Sequence, residues 1–383
     1  MSCIGLGKID KNLIPIIVGC IFCFLNRLIN QYDKTLLFKN PIITNFFDSF
    51  SRFLAVIPYI ILKIRSKRIN NKNIQNINNN NSFISLYKKN NKDEIVRYKA
   101  GFILLTAITF LIQSVLFVET FKIKTNSWIW YIFIATLFYY LIFKIKLYNH
   151  HYLSIILIIL LGFVIDIILG NIQNELINNL GLLLIRFIRE ILISLYNVVA
   201  KYTMEKKYVS VYELSFYIGL INMILFGIFS IFDYNFFKLY DYEIYFNNFN
   251  YIELLVLLGV IFTQLGINLS TLITNRNNSP CHIFIILVFG QIAYYMNFSG
   301  YSIIVIIFLI IILFLSLVFN EIIEINIWGL SYNTKRNISK RAEFEDFLIK
   351  QNQVNDENVI VGKDGYLFEL NSDNDKSANL ENE

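Results

Sequence analysis

Cysteine, histidine and charge are all scarce in this 383-residue chain, and each scarcity removes a class of function. The four cysteines, Cys3, Cys20, Cys23 and Cys281, do not make a disulfide framework. Cys20 and Cys23 form a CxxC pair, but inside an apolar run and without a second ligand pair, so they read as packing groups. The three histidines, His150, His151 and His282, have no carboxylate near them in sequence, so no metal is expected. There is no nucleophile constellation, no phosphate-binding glycine loop and no pair of catalytic carboxylates in a polar segment. The chain therefore does not read as an enzyme, and it implies no cofactor.

Charged residues make up only 16% of the chain, against 56% hydrophobic residues and a mean hydropathy of +0.52. A chain with so little polar surface cannot cover itself in water, so its solvent is lipid. The net charge of +6 does not point to nucleic acid, because the Lys and Arg residues cluster beside apolar runs. A spanning helix needs about 20 mainly apolar residues. Candidate spans run at about Leu13–Gln31, Ile42–Ile64, Ala100–Glu119, Trp128–Ile145 and Tyr152–Gly170, and then Leu180–Tyr202, Val211–Phe232, Tyr251–Thr274, Cys281–Phe298 and Tyr301–Phe319. They are too long and apolar for barrel strands, which leaves helices. The first run lacks a small-residue cleavage site and reads as a retained span. The expectation is an all-α polytopic membrane protein of about ten transmembrane helices.

Orientation follows from the loops. Ten Lys or Arg lie between Lys63 and Lys99, and more at Lys144, Lys146, Lys206, Lys207 and Arg276. The longest opposite loop is mildly acidic, with Asp233, Asp241 and Glu243 against Lys238. The positive-inside rule puts both termini in the cytoplasm. The Asn-rich piece Asn70–Asn81 belongs to a disordered cytoplasmic loop, 66–98. Beyond the last span, Glu321–Arg341 suits a membrane surface with Trp328 at the headgroups, within a mostly disordered tail, 321–383.

The polar residues left inside the spans are the candidate binding groups, since ionisable side chains at bilayer depth face protein or a water-filled cavity. Arg186, Glu190, Ser194, Asn197 and Lys201 recur at spacings of four, four, three and four, one stripe of span six. Arg189 lies beside that stripe. Span six ends in a basic break, and Ser210-Val-Tyr-Glu213 then forms a capping box that opens span seven. Asp48 and Arg52 stand four apart in span two, Gln264 and Asn268 four apart in span eight, and Gln291 and Tyr295 four apart in span nine. A plainer reading stands beside each: an Arg186–Glu190 pair that only packs helices, or amide side chains that serve as interhelical glue.

The segment Ile132-Phe-Ile134 with Phe138 is echoed by Ile283-Phe-Ile285 with Phe289, each followed by a short link and an Ile/Leu-rich span. The two copies have opposite orientation, as an inverted repeat requires. The first five-helix half is then 1–175 and the second 176–320. Ten spans in two inverted fives resemble the drug/metabolite transporter superfamily, which includes EamA-type and nucleotide-sugar carriers. The most specific pieces are Phe143–Ser154, matching that family's short basic link between spans four and five, and Asn197–Lys207, matching its Lys-bearing turn after span six.

What the resemblance implies is a secondary transporter, working by alternating access in an endomembrane (Golgi or ER) or the plasma membrane. The cationic excess of span six favours an anionic or zwitterionic metabolite, with nucleotide sugars one candidate class. Its partners are then a small-molecule solute and the lipid bilayer, not nucleic acid, and a homodimer is admitted. The rival readings are a polytopic acyl- or glycosyltransferase-like enzyme and a non-transporting membrane scaffold.

Overall fold

The computed structural model describes residues 4–6, 11–30, 41–65, 84–120, 127–168, 180–237, 251–297, 303–325, 334, 359–361 and 367–369. The Asn-rich piece, the charges at 238–243 and Trp328 lie outside them. Two units separate. One holds residues 1–5 and 324–383, and the other holds 6–323. In the first, Val359–Val361 pairs antiparallel with Leu367–Glu369, Ile360 opposite Phe368.

The second unit is built from helices: α1 (Ile14–Asn30), α2 (Pro41–Phe53), α3 (Ile84–Thr120), α4 (Trp130–Phe143), α5 (Asn149–Ile168), α6 (Leu180–Lys206), α7 (Val211–Phe232), α8 (Tyr251–Asn277), α9 (Ile283–Asn297) and α10 (Ile303–Phe319). Among the described residues four helical stretches are long and apolar enough to cross a membrane: Lys99–Phe117, Asn149–Ile168, Val211–Asn235 and Tyr251–Asn277. Four shorter apolar helices stand beside them. This is the architecture of an all-α membrane protein, compatible with several crossings.

The distribution of side chains supports lipid as the solvent. Large aliphatic residues face outward, such as Ile167 at 66% exposure, Leu255 at 63% and Ile303 at 75%. Asn26, Arg52, Glu190, Asn197, Lys201, Asn222 and Asn268 are buried instead. Water would reverse both preferences.

Two elements differ from the expected spans, and each has a local cause. The second span is a single run in sequence but breaks after Phe53, and helix resumes over 56–65. Pro58 has no N–H for the Leu54 carbonyl, which accepts from Ile57 N at 3.2 Å instead. Helix α3 starts at Ile84, inside the expected loop 66–98. Residues 84–98 are rich in Lys, Glu and Arg, good helix formers that extend the apolar span. Two local signals are met. Ser210 caps α7, its side chain accepting from Glu213 N at 3.1 Å, and α4 closes on Lys144 in the left-handed region at φ 53°.

Packing runs mainly between early and late helices. Helix α1 lies against α8 and α9, α2 against α7, α3 and α4 against α6, and α5 against α10. One apolar core joins α4, α5, α9 and α10 around Tyr131, Ile158, Phe284 and Leu309. A second joins α3, α6, α7 and α8 around Ala107, Ala200, Leu214 and Leu272. Between the helices a polar cavity remains.

Candidate functional site

Six helices line that cavity: α1, α2, α3, α6, α8 and α9, enclosing about 380 Å³. Each contributes polar groups from an otherwise apolar run, and those of α1, α2, α6 and α8 meet in one chain of hydrogen bonds. Asn30 Nδ2 donates to Asn26 Oδ1 at 2.7 Å, and Asn26 Nδ2 donates to Gln264 Oε1 at 2.9 Å. Gln264 Nε2 in turn donates to Asp48 Oδ1 at 2.8 Å, which also receives Asn268 Nδ2 at 2.8 Å. The other carboxylate oxygen accepts from Arg52 Nε at 3.4 Å, and Arg52 Nη1 donates to the Tyr196 hydroxyl at 3.2 Å. The guanidinium lies 4.3 Å over the Phe110 ring. The chain ties α1, α8, α2 and α6 together through groups that would be costly if left unpaired in this medium.

Asp48 and Arg52 neutralise each other within this network. Arg27, one turn from Cys23 on α1, also faces the cavity. Its guanidinium sits 5.2 Å over the Tyr294 ring, and no carboxylate pairs with it among the described residues. The cavity thus holds two guanidiniums against one carboxylate, a net positive charge. Two carbonyl oxygens on its lining residues, Asn30 Oδ1 and Asn197 Oδ1, are buried and accept no hydrogen bond. The space offers a cation for an anionic group, while these two oxygens are covered by neighbouring atoms and are not open to it.

Of the residues expected to bind solute, Arg52, Asn197, Gln264, Asn268 and Gln291 line the cavity, and Asp48 braces its wall. The others lie elsewhere. Lys201 is 2% exposed, and its Nζ donates to the carbonyls of Asn275 at 3.0 Å, Arg276 at 3.4 Å and Asn278 at 2.8 Å. It caps the C-terminal end of α8, where orphan carbonyls and the helix dipole both favour a cation, and it also pairs with Glu205 at 2.6 Å. Arg189 stands 3.7 Å from Glu190 and 4.7 Å from the Phe117 ring. Arg186 lies on the same N-terminal half of α6, and none of these three lines the cavity. Tyr295 is buried in the apolar core of α4, α5, α9 and α10.

Span six therefore splits by depth. Asn197 turns to the cavity with Ile193 and Tyr196, while Lys201 turns to α8. Replacing Lys201 by methionine keeps the stem and removes the charge. The expected loss is about 2 kcal/mol of stability, from the orphaned carbonyls. Thermal unfolding in detergent measures it, and the response to solute should survive.

Asn26, Arg27, Asn30 and Tyr196 belong to the site but were not among the expected residues. Asn26, Arg27 and Asn30 interrupt the apolar run of span one just as Arg186 to Lys201 interrupt span six, and that was the available signal. The chain matches no protein-family model, and no curated protein matches it significantly.

Proposed function

We propose that the chain is a secondary carrier that moves a small anionic or zwitterionic metabolite by alternating access. One observation carries the reading: a cavity of about 380 Å³ with a net cation, lined by helices from both halves of the chain. That volume suits a small-molecule site. Ionisable and amide groups gathered around one space in a lipid-facing protein support a polar solute there, beyond the helix-to-helix bonds they also make.

The packing supports two inverted halves. Exchanging each helix for the one five places along turns the α1–α8 contact into α6–α3 and the α1–α9 contact into α6–α4. The α2–α7 and α5–α10 contacts map onto themselves. A two-fold axis between the halves makes that pattern, and rocking of one half against the other is its mechanical consequence. Helix-end contacts agree with an alternation of ten crossings. Lys99 at the base of α3 pairs with Glu213 at the base of α7 at 2.8 Å. Asn278 after α8 donates to the Asn12 carbonyl before α1 at 3.0 Å. Strict alternation puts all of these ends on one side.

Arg27 is the anion anchor in this reading, because the Arg52 charge is already engaged by Asp48. Detergent-purified protein, heated with a panel of sugar phosphates, nucleotide sugars, nucleosides and amino acids, tests it. A solute at 100 times its dissociation constant adds about 2.7 kcal/mol to the folded state. We expect an anionic or zwitterionic solute to give that response, and Arg27→Gln to abolish it while the solute-free unfolding temperature stays near the parent value. A response that survives Arg27→Gln would remove Arg27 from the site.

A further inference from the structure

We infer that the facing ends of α5 and α10 form a binding site for a divalent transition-metal cation, with His150, His151 and Glu321 as its ligands. The inference does not depend on the carrier reading. Sequence gives no hint of it, because the carboxylate comes from the far end of the chain.

The donor atoms are already gathered. One ligand atom from each residue lies within 4.8 Å of the others. Glu321 Oε1 stands 3.3 Å from His150 Nε2 and 3.8 Å from His151 Nε2. In a tetrahedral zinc site, bonds of about 2.0–2.2 Å put neighbouring donors about 3.4 Å apart. Two imidazoles and one carboxylate, with a fourth position left open, are a donor set for zinc or cobalt rather than for calcium or magnesium, which take oxygen ligands.

Two further observations point to a ligand. His150 is 4% exposed, yet its Nε2 makes no hydrogen bond. Glu321 Oε1 is near it but out of hydrogen-bond alignment, and a cation bound to both atoms would satisfy them. Glu321 also occupies a backbone conformation that disfavours it. The α10 helix ends in a Schellman turn, with Ile322 N bonded to Leu317 O at 3.0 Å and Glu321 N to Val318 O at 3.0 Å. That turn puts Glu321 in the left-handed region at φ 58°, the place where glycine is usual. The strained residue carries the carboxylate that reaches both rings.

His150 and His151 open α5, and their rings lie 4.0 Å apart between centroids, tilted by 36°. The His151 Nδ1 accepts from Tyr148 N at 3.2 Å, so the neutral ring carries its proton on Nε2, toward Glu321. Coordination through Nε2 moves that proton to Nδ1 and gives up one long hydrogen bond. No proton is lost overall, and the cation replaces the Nε2–H contact with Glu321. A bound metal would fasten the start of α5 to the end of α10, two helices that already pack along their length.

The test uses the full-length, detergent-purified protein after chelator treatment. Zn²⁺ is titrated by calorimetry, and Co²⁺ is added separately to read the visible ligand-field bands of a tetrahedral site. We expect one Zn²⁺ per chain and tetrahedral Co²⁺ bands. Glu321→Gly relieves the left-handed strain, so it should fold at least as well as the parent, and His150→Gln keeps a polar group of similar reach. Each should weaken Zn²⁺ binding by at least about tenfold, and both should lose the Co²⁺ bands. Absence of a stoichiometric Zn²⁺ isotherm in the parent would overturn the site. So would a Zn²⁺ affinity unchanged in both variants, which would assign the metal to Cys20 and Cys23 or to the acidic tail.

Discussion

Gly219→Ala is expected to cost about 3 kcal/mol of stability and to abolish any solute response, although glycine and alanine differ by one methyl group. Gly219 lies where α7 crosses α2. A Cβ built there would stand 2.2 Å from Phe53 N, 2.7 Å from the Arg52 carbonyl carbon and 2.7 Å from Ser49 O. All three are backbone atoms, so no side chain can rotate out of the way and the helices must part. Close approach of this kind is why small residues collect where membrane helices cross. The same face carries Ser215, whose hydroxyl donates to Arg52 O at 3.3 Å. Separation therefore moves Asp48 and Arg52 with α2, and the cavity wall goes with them. Gly227, on the same helix, is the control. Its nearest neighbour is Phe46 Cε2 at 3.6 Å, ordinary contact, so Gly227→Ala should leave the unfolding temperature and the solute response in place. Equal behaviour of the two variants would mean that α2 and α7 are not this close.

The second large effect comes from dividing the buried ion pair. Asp48→Asn removes the charge opposite Arg52 and places a side-chain amide where a carboxylate accepted from Gln264, Asn268 and Arg52. A guanidinium left uncompensated at this depth costs about 3–5 kcal/mol. Arg52→Gln should cost less, because Asp48 keeps its two amide donors on α8. The double variant Asp48→Asn/Arg52→Gln should recover part of the Asp48→Asn loss, since both charges are gone. Unfolding temperatures of the four proteins close a double-mutant cycle. Additive losses would show that the two side chains do not act as a pair.

How much of this could be read from the chain depends on the range of the interaction. Apolar runs and local caps act within a few residues, so the helices and the Ser210–Glu213 cap were legible. The α2 break was also legible in principle, because Pro58 cannot donate to Leu54 O. Partners across the fold were not. Asp48 meets Gln264 across 216 residues of sequence, and no spacing rule reaches that far. Lys201 shows the same limit from the other side. Its helical stripe is real, but a stripe does not say which neighbour it faces, and here the neighbour is the end of α8. Arg27 is a different kind of miss. It sits in an apolar run with Asn26 and Asn30, and the reasoning applied to span six would have found it in span one.

Alternating access makes one demand that does not require knowing the solute: the cavity must open to both sides of the membrane. Cys23 lines it. A variant with Cys3, Cys20 and Cys281 replaced by serine, reconstituted in sealed vesicles of known orientation, can be treated with a membrane-impermeant thiol reagent from either side. The carrier account predicts that Cys23 is modified from both sides, and that a bound solute slows both reactions. Modification from one side only, or from neither in folded protein, would contradict it.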